Sequence, residues 1–246
     1  MNLVEFLARR ASVVAPIYRQ SCPRCRKALS TCYCSVLRPF RSPVEFVILQ
    51  HAEEARNPIA TARMAHLSIT NSHLFVGDGF AGCKSVDKLI ADPMRRNYVL
   101  FPSATAQPLE AVIADTDAAG VGNEAKRRPV FWVLDAKWAQ VPKMLRLSPN
   151  IRKLPMVKFS PNRRSTFQIR RQPHPDCLST IESIYLVIER YLSFRGLNSS
   201  TEHQALLDVF HYFVRQQLDF VDVEGDVRHK VAKARRAERR RGGLTA

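Results

Sequence analysis

Five short apolar runs recur along this chain with helical segments between them, and that alternation restricts its fold more than any other feature. The runs are "VEFVILQH" (44–51), "SHLFVGD" (72–78), "YVLFPS" (98–103), "VFWVLD" (130–135) and "MVKFS" (156–160). Each is nearly continuous in apolar and β-branched or aromatic residues, the pattern of strands buried on both faces. Between them lie "RNPIATARMAHL" (56–67), "VDKLIAD" (86–92), stopped by Pro93, and "PLEAVIAD" (108–115), all short helices by periodicity. Strands alternating with helices predict an α/β fold with a mostly parallel sheet.

Two longer helices follow. "STIESIYLVIERYL" (179–192) places Ile181, Ile184, Ile188 and Tyr191 or Leu192 on one face; "TEHQALLDVFHYFVRQQLDFV" (201–221) does so with Leu206, Leu207, Phe210, Phe213 and Val214. Capping boxes are expected at Ser179 with Glu182 and at Ser199 with Glu202. No internal repeat is present. No run approaches the ~18 apolar residues of a membrane span. The first residues carry Glu5, Arg9 and Arg10 in place of a continuous apolar signal core, so a cytoplasmic location is expected.

Four of the six cysteines fall close together, as Cys22-x2-Cys25-x6-Cys32-x1-Cys34. Thiols crowded in this way in a cytosolic chain suit a closed tetrahedral thiolate site for structural zinc. Arg24, Arg26 and Lys27 make the knuckle basic and fit it for phosphate. The net charge is +16, and residues 228–241 hold eight Lys/Arg against one Glu. Such a block, including Arg235, Arg236, Arg239 and Arg240, reads as a solvated arm for RNA. The expected organisation is an N-terminal segment with the knuckle (1–40), a catalytic domain (41–222) and a basic tail (223–246).

In open parallel sheets, ligands bind beyond the carboxyl ends of the strands. Those ends carry Gln50-His51 with Glu53, Asp78 between two glycines, Pro102-Ser103-Ala104-Thr105, and Leu134-Asp135 with Lys137 and Trp138. His51 either caps a strand end or serves a site; Asp135 either caps the following helix or does chemistry. Further on, Arg170 and Arg171 precede a loop held extended by two prolines. That loop enters a helix with free N–H groups, a setting for a carboxylate or phosphate. No glycine-rich phosphate loop is present, which argues against a nucleoside triphosphatase.

Taken together, "CPRCRKALSTCYC", "LQHAEEARNPIATA", "FPS", "LDAKW" and the R-x2-P-x3-CLSTIE segment resemble the DTW-domain family over roughly residues 20–195. The family's D-x-T-W tetrad stands here as Asp135-Ala136-Lys137-Trp138, with lysine for threonine. Its His-Pro-x-Glu segment stands as His51-Ala52-Glu53-Glu54, without the proline. The resemblance implies a SPOUT-like sheet with a C-terminal knot. It implies S-adenosylmethionine as a substrate, whose 3-amino-3-carboxypropyl group moves to N3 of a uridine in the tRNA variable loop, with methylthioadenosine leaving.

On that footing Asp135 accepts the N3 proton or orients the base, and Trp138 stacks on the uridine or packs beneath the loop. Arg170 holds the cofactor carboxylate. Pro102, Ser103, Leu134, Leu178, Ser179 and Thr180 hold the adenosine. Lys137, the knuckle and the tail meet tRNA. No protein partner is evident. The competing readings are a SPOUT-type RNA methyltransferase and a non-catalytic zinc RNA-binding protein.

Overall fold

The computed structural model describes residues 20–118, 127–170, 172, 174, 176–197 and 199–219. Six strands form one sheet: β1 (Glu45–Gln50), β2 (Ser72–Val76), β3 (Arg95–Leu100), β4 (Gln107–Pro108), β5 (Arg128–Asp135) and β6 (Met156–Lys158). Their order is β2-β1-β5-β3-β6-β4, and every pairing is parallel. The helices are α1 (Ala52–Arg56), α2 (Ala62–Ser68), α3 (Lys84–Ala91), α4 (Leu109–Ala118), α5 (Val141–Arg146), α6 (Pro149–Arg152), α7 (Thr180–Phe194) and α8 (204–219).

The apolar runs are continuous because both sheet faces are covered. Phe46, Ile48, Phe131 and Val133 join a core with α2, α4, α7 and α8, whereas Val47, Leu49, Val130 and Trp132 join a second core with α3, α5 and α6. The two-residue period of a strand sends neighbours to opposite faces. It also decides where the site falls. Gln50 and Asp135 share the face of Ile48 and Val133, and they are register partners at the carboxyl edge. The indole N–H of Trp132 is satisfied by Asn97 Oδ1 at 2.9 Å, so this large ring sits fully buried.

Several elements differ from expectation. The segment 56–67 is two helices, because Pro58 lacks an N–H and Asn57 Oδ1 accepts from Ile59 N at 3.1 Å, turning the chain. The sheet gains the two-residue strand β4 at its edge. The Ser179–Glu182 capping box forms on α7. The one at Ser199–Glu202 does not, because α8 starts only at residue 204, after a turn in which Gln204 N reaches Thr201 O. Asp135 is no N-cap either, since α5 begins after Gln140.

Glycine is required at position 79. A Cβ there would lie 2.6 Å from Leu147 Cβ. The close approach lets Phe80 N donate to Ser148 Oγ (2.9 Å) and Asn150 Nδ2 donate to Phe80 O (3.0 Å) and Asp87 Oδ1 (2.7 Å). The α5–α6 corner is thereby fastened to the β2–α3 turn.

The cysteine knuckle packs on the first core. Cys25 and Tyr33 belong to it, and Tyr33 meets Phe213 of α8 edge to face. Among the described residues, no helix is long and apolar enough to cross a membrane. The tail arginines Arg235, Arg236, Arg239 and Arg240 lie outside the described residues.

Candidate active site and cysteine centre

The central strand β5 ends between β1 and β3, and the chain turns there through Asp135 to Trp138. Asp135 is only 6% exposed. Its Oδ2 accepts from Gln50 Nε2 at 2.8 Å and its Oδ1 from the Thr180 hydroxyl at the start of α7. Its backbone oxygen accepts from His51 N at 2.9 Å. Burial pushes the carboxyl pKa up, opposed by the two hydrogen bonds; Glu54 nearby raises it further and Arg170 lowers it. The carboxylate therefore joins β1, β5 and α7 at one point, and both its oxygens already accept a hydrogen bond.

Two hollows meet at this turn. The first, about 190 Å3, is mainly apolar and is lined by Phe101, Pro102, Leu134, Val157, Cys177 and Leu178, among others. The second, about 260 Å3, is polar and is lined by Glu54, Thr61, Asp135, Lys137, Arg170 and Ser179, among others. Ala136, Trp138, Leu178 and Thr180 line both. The division suits a ligand with an apolar ring system at one end and a zwitterionic amino acid at the other. Trp138 is half exposed, its ring tilted against Phe101 at a centroid distance of 6.3 Å. It stands at the rim and does not pack beneath the loop.

Of the residues expected to hold a cofactor, Pro102, Leu134, Leu178 and Thr180 line the apolar hollow, and Arg170, Leu178, Ser179 and Thr180 line the polar one. Ser103 lines neither. Its N–H turns back to Phe101 O, and its hydroxyl faces that of Thr105 at 3.4 Å.

Arg170 is paired within the protein: Nη1 and Nη2 donate to the two oxygens of Glu54 at 3.0 and 3.2 Å, while the partly exposed side chain lines the polar hollow. Glu54 is 1% exposed and also accepts from Asn57 Nδ2 at 3.2 Å. The arginine neutralises a carboxylate of its own chain that has nowhere else to discharge. Removing one partner of a buried pair leaves an uncompensated charge. Arg170→Ala should therefore cost about 3 kcal/mol of stability, read as a lower denaturant midpoint with unchanged slope, and Arg170→Ala/Glu54→Gln should recover much of it.

Lys27 needs a correction. Its ammonium does not face a phosphate but points inward, donating to Pro58 O and to Ala60 O (3.2 Å), over the Phe213 ring at 5.2 Å. Burial lowers its pKa to about 8. Arg24 and Arg26, by contrast, are exposed. Lys137 is exposed too, yet its ammonium reaches Glu53, which also accepts from the Gln140 amide. The lysine standing where the family has threonine thus ties the Asp135 turn to α1. His51 caps α1 by accepting from Glu53 N at 3.2 Å, with its other nitrogen 3.3 Å from Asp78.

Glu182 is more than a cap. Besides the Ser179 N–H and hydroxyl (2.8 and 2.6 Å), its carboxylate accepts from Ser165 Oγ (2.8 Å) and Thr166 N (2.7 Å). It holds the loop before the site to the helix after it. The sequence offered the cap but not the second grip, because 165 and 182 are joined only by folding. The same holds for Gln50 and Glu54, whose importance lies in what sits opposite them.

In the N-terminal knuckle, the sulfurs of Cys22, Cys25, Cys32 and Cys34 all lie within 4.8 Å of one another, with Cys22–Cys34 at 3.7 Å and Cys25–Cys32 at 3.6 Å. Tetrahedral zinc with Zn–S bonds of about 2.3 Å separates its sulfurs by roughly 3.8 Å, so the set fits that ion. The knuckle turn places Arg26 at φ 59°, with Arg26 N donating to Cys22 O at 2.8 Å. Backbone N–H groups of Cys25 and Arg24 aimed at the Cys22 sulfur lower its pKa to about 6.

Comparison with known proteins agrees with this picture. Over 218 residues the chain is 29% identical to tRNA-uridine aminocarboxypropyltransferase 2 of Drosophila melanogaster, spanning 85% of this chain and 79% of that relative. It is 24% identical to the protein of the same name from Macaca fascicularis and 26% identical to that from Mus musculus. Each of these matches spans 67% of this chain and 54% of the relative, so the chain covers about half the length of the mammalian proteins. No solved structure matches it. The DTW domain model matches residues 19–218, nearly all of the described structure, and the chain belongs to the DTW domain family.

Proposed function

We propose that this chain transfers the 3-amino-3-carboxypropyl group of S-adenosylmethionine to N3 of a uridine in the variable loop of tRNA. The new bond joins N3 to the γ-carbon of the methionine moiety, and the bond from that carbon to sulfur breaks. The sulfonium takes the electron pair and leaves as methylthioadenosine, and the N3 proton is lost. The observation that carries the reading is the meeting of an apolar and a polar hollow at the Asp135–Trp138 turn of a DTW domain. An adenosyl group suits the first, an amino-acid group the second, and the sulfonium falls between them.

Because the sulfonium is already a good leaving group, the protein has chiefly to position the reactants and choose which carbon is attacked. Asp135, with both oxygens engaged, orients the start of α7 and the base through its remaining lone pairs. Its raised pKa brings it closer to the range of a useful proton acceptor than an ordinary aspartate. Trp138, half exposed at the mouth, offers a stacking face to a uracil drawn out of the loop. The cysteine cluster is read as structural zinc, the fold as SPOUT-like with a C-terminal knot, and the location as cytoplasmic. Arg24 and Arg26 are assigned to the tRNA body.

Incubation with bulk tRNA and S-adenosylmethionine, followed by nucleoside mass analysis, tests the assignment. A uridine heavier by one aminocarboxypropyl group is expected. A methylated nucleoside would transfer the site to methyltransferase chemistry, and an unchanged nucleoside pool would remove catalysis altogether.

A further inference from the structure

Between Asp135 and Asp176 the chain has ten Lys/Arg and no Asp or Glu. Residues 6–44, with eight Lys/Arg and no Asp or Glu, come nearest to this imbalance over a similar length, but it is the stretch after Asp135 that lines the site. Within it, a wide, open hollow of about 370 Å3 is lined by Phe101, Pro142, Leu145, Arg146, Arg152 and Met156. Phe101 also lines the apolar hollow of the proposed active site, so one ring separates the two.

Arg146 ends α5 and Arg152 ends α6; both are exposed. Among the described residues neither forms an ion pair with a carboxylate, in contrast to Arg163 with Glu189, Arg170 with Glu54 and Arg190 with Glu110. Their corner is held rigidly, through the Ser148 and Asn150 contacts to Phe80 and Asp87. Two unpaired guanidiniums on a fixed corner over an apolar floor match a phosphodiester strand: cations for phosphate oxygens, apolar surface for the sugar faces between them.

We infer that the hollow formed by Phe101, Pro142, Arg146 and Arg152 is where the tRNA strand flanking the target uridine crosses the protein, its phosphates held by the two arginines. The surface rests on the tRNA reading above and extends it, supplying from the domain itself a grip expected from the knuckle and the tail. A protein partner with an acidic segment would need carboxylates at the same two points; adjacency across Phe101 to the hollow assigned to the group donor puts this surface beside the transfer point and favours the RNA acceptor.

The experiment measures tRNA affinity of the full chain across a series of salt concentrations for wild type, Arg146→Ala/Arg152→Ala, and Arg128→Ala. Arg128 is an exposed arginine at the opposite, amino end of β5 and controls for bulk charge. Loss of two phosphate contacts on single-stranded RNA should reduce the slope of log affinity against log salt by about 1.4 and weaken binding on the order of tenfold. S-adenosylmethionine affinity, by calorimetry, should not move. An unchanged slope in the double variant, or an equal loss in Arg128→Ala, overturns the surface. Wild-type chain that binds tRNA but transfers nothing sinks the aminocarboxypropyl assignment alone, because the slope comparison needs no catalysis.

Discussion

Asp135→Asn is expected to slow aminocarboxypropyl transfer by about 100-fold or more, the scale of a lost acid–base or orienting group, while tRNA affinity stays at the wild-type level. Asparagine keeps the shape of the side chain. Its amide nitrogen can face Thr180, whose hydroxyl then turns to accept, and its oxygen can still accept from Gln50. The join between β1, β5 and α7 therefore survives, and the charge alone is removed. Asp135→Ala would confound the result by leaving two buried donors unmet. Burial raises the Asp135 pKa, so the acid limb of the wild-type kcat profile should lie above the ordinary aspartate range and vanish in the asparagine variant. Wild-type rates from Asp135→Asn at saturating tRNA, measured by nucleoside mass analysis, would exclude the carboxylate from the mechanism.

Metal removal should have the other large effect, and on the whole fold. The knuckle is no separate bead: Cys25 and Tyr33 lie in the first core, and Lys27 spans Pro58, Ala60 and the Phe213 ring. Without an ion, four thiols packed with sulfurs inside 4.8 Å must either separate or stay protonated against one another. Structural zinc contributes about 10–16 kcal/mol to the folding of isolated finger peptides, so loss of even part of that should destabilise this chain by several kcal/mol. Elemental analysis should find one zinc per chain. A strong chelator, or Cys25→Ser, should lower the denaturant midpoint of the entire domain in one transition, with tryptophan fluorescence and backbone dichroism changing together. Equal midpoints with and without metal would show that the cysteines hold no structural ion.

Five of the six strands were legible in the sequence as apolar runs, most clearly β1 and β5, which are covered on both faces and apolar almost throughout. β4 did not, being two exposed residues, Gln107 and Pro108. Its pairing depends on β6 arriving beside it. The strand ends pointed to Asp135 and Trp138, since a carboxylate and an indole directly after a core strand stand out against their surroundings. Lys27 misled, and the partner of Arg170 went unseen, for one reason: a cation in a loop looks available, and only the fold reveals which carbonyl or carboxylate sits against it. Glu54 claims Arg170 from 116 residues away in the chain.

Local chemistry along the chain was enough to indicate five of the six strands, most of the helices, the α7 cap, the cysteine cluster and the turn at which chemistry is proposed. These depend on contacts between near neighbours or on periodicity, which a linear text preserves. The strand order, the pairing of Gln50 with Asp135, the splitting of the site into an apolar and a polar hollow, and the inward turn of Lys27 were decided by tertiary structure alone. Each arises where segments distant in sequence compete for the same buried space, and the desolvation cost of an unmatched charge or donor is settled only when the partner from the other segment is in place.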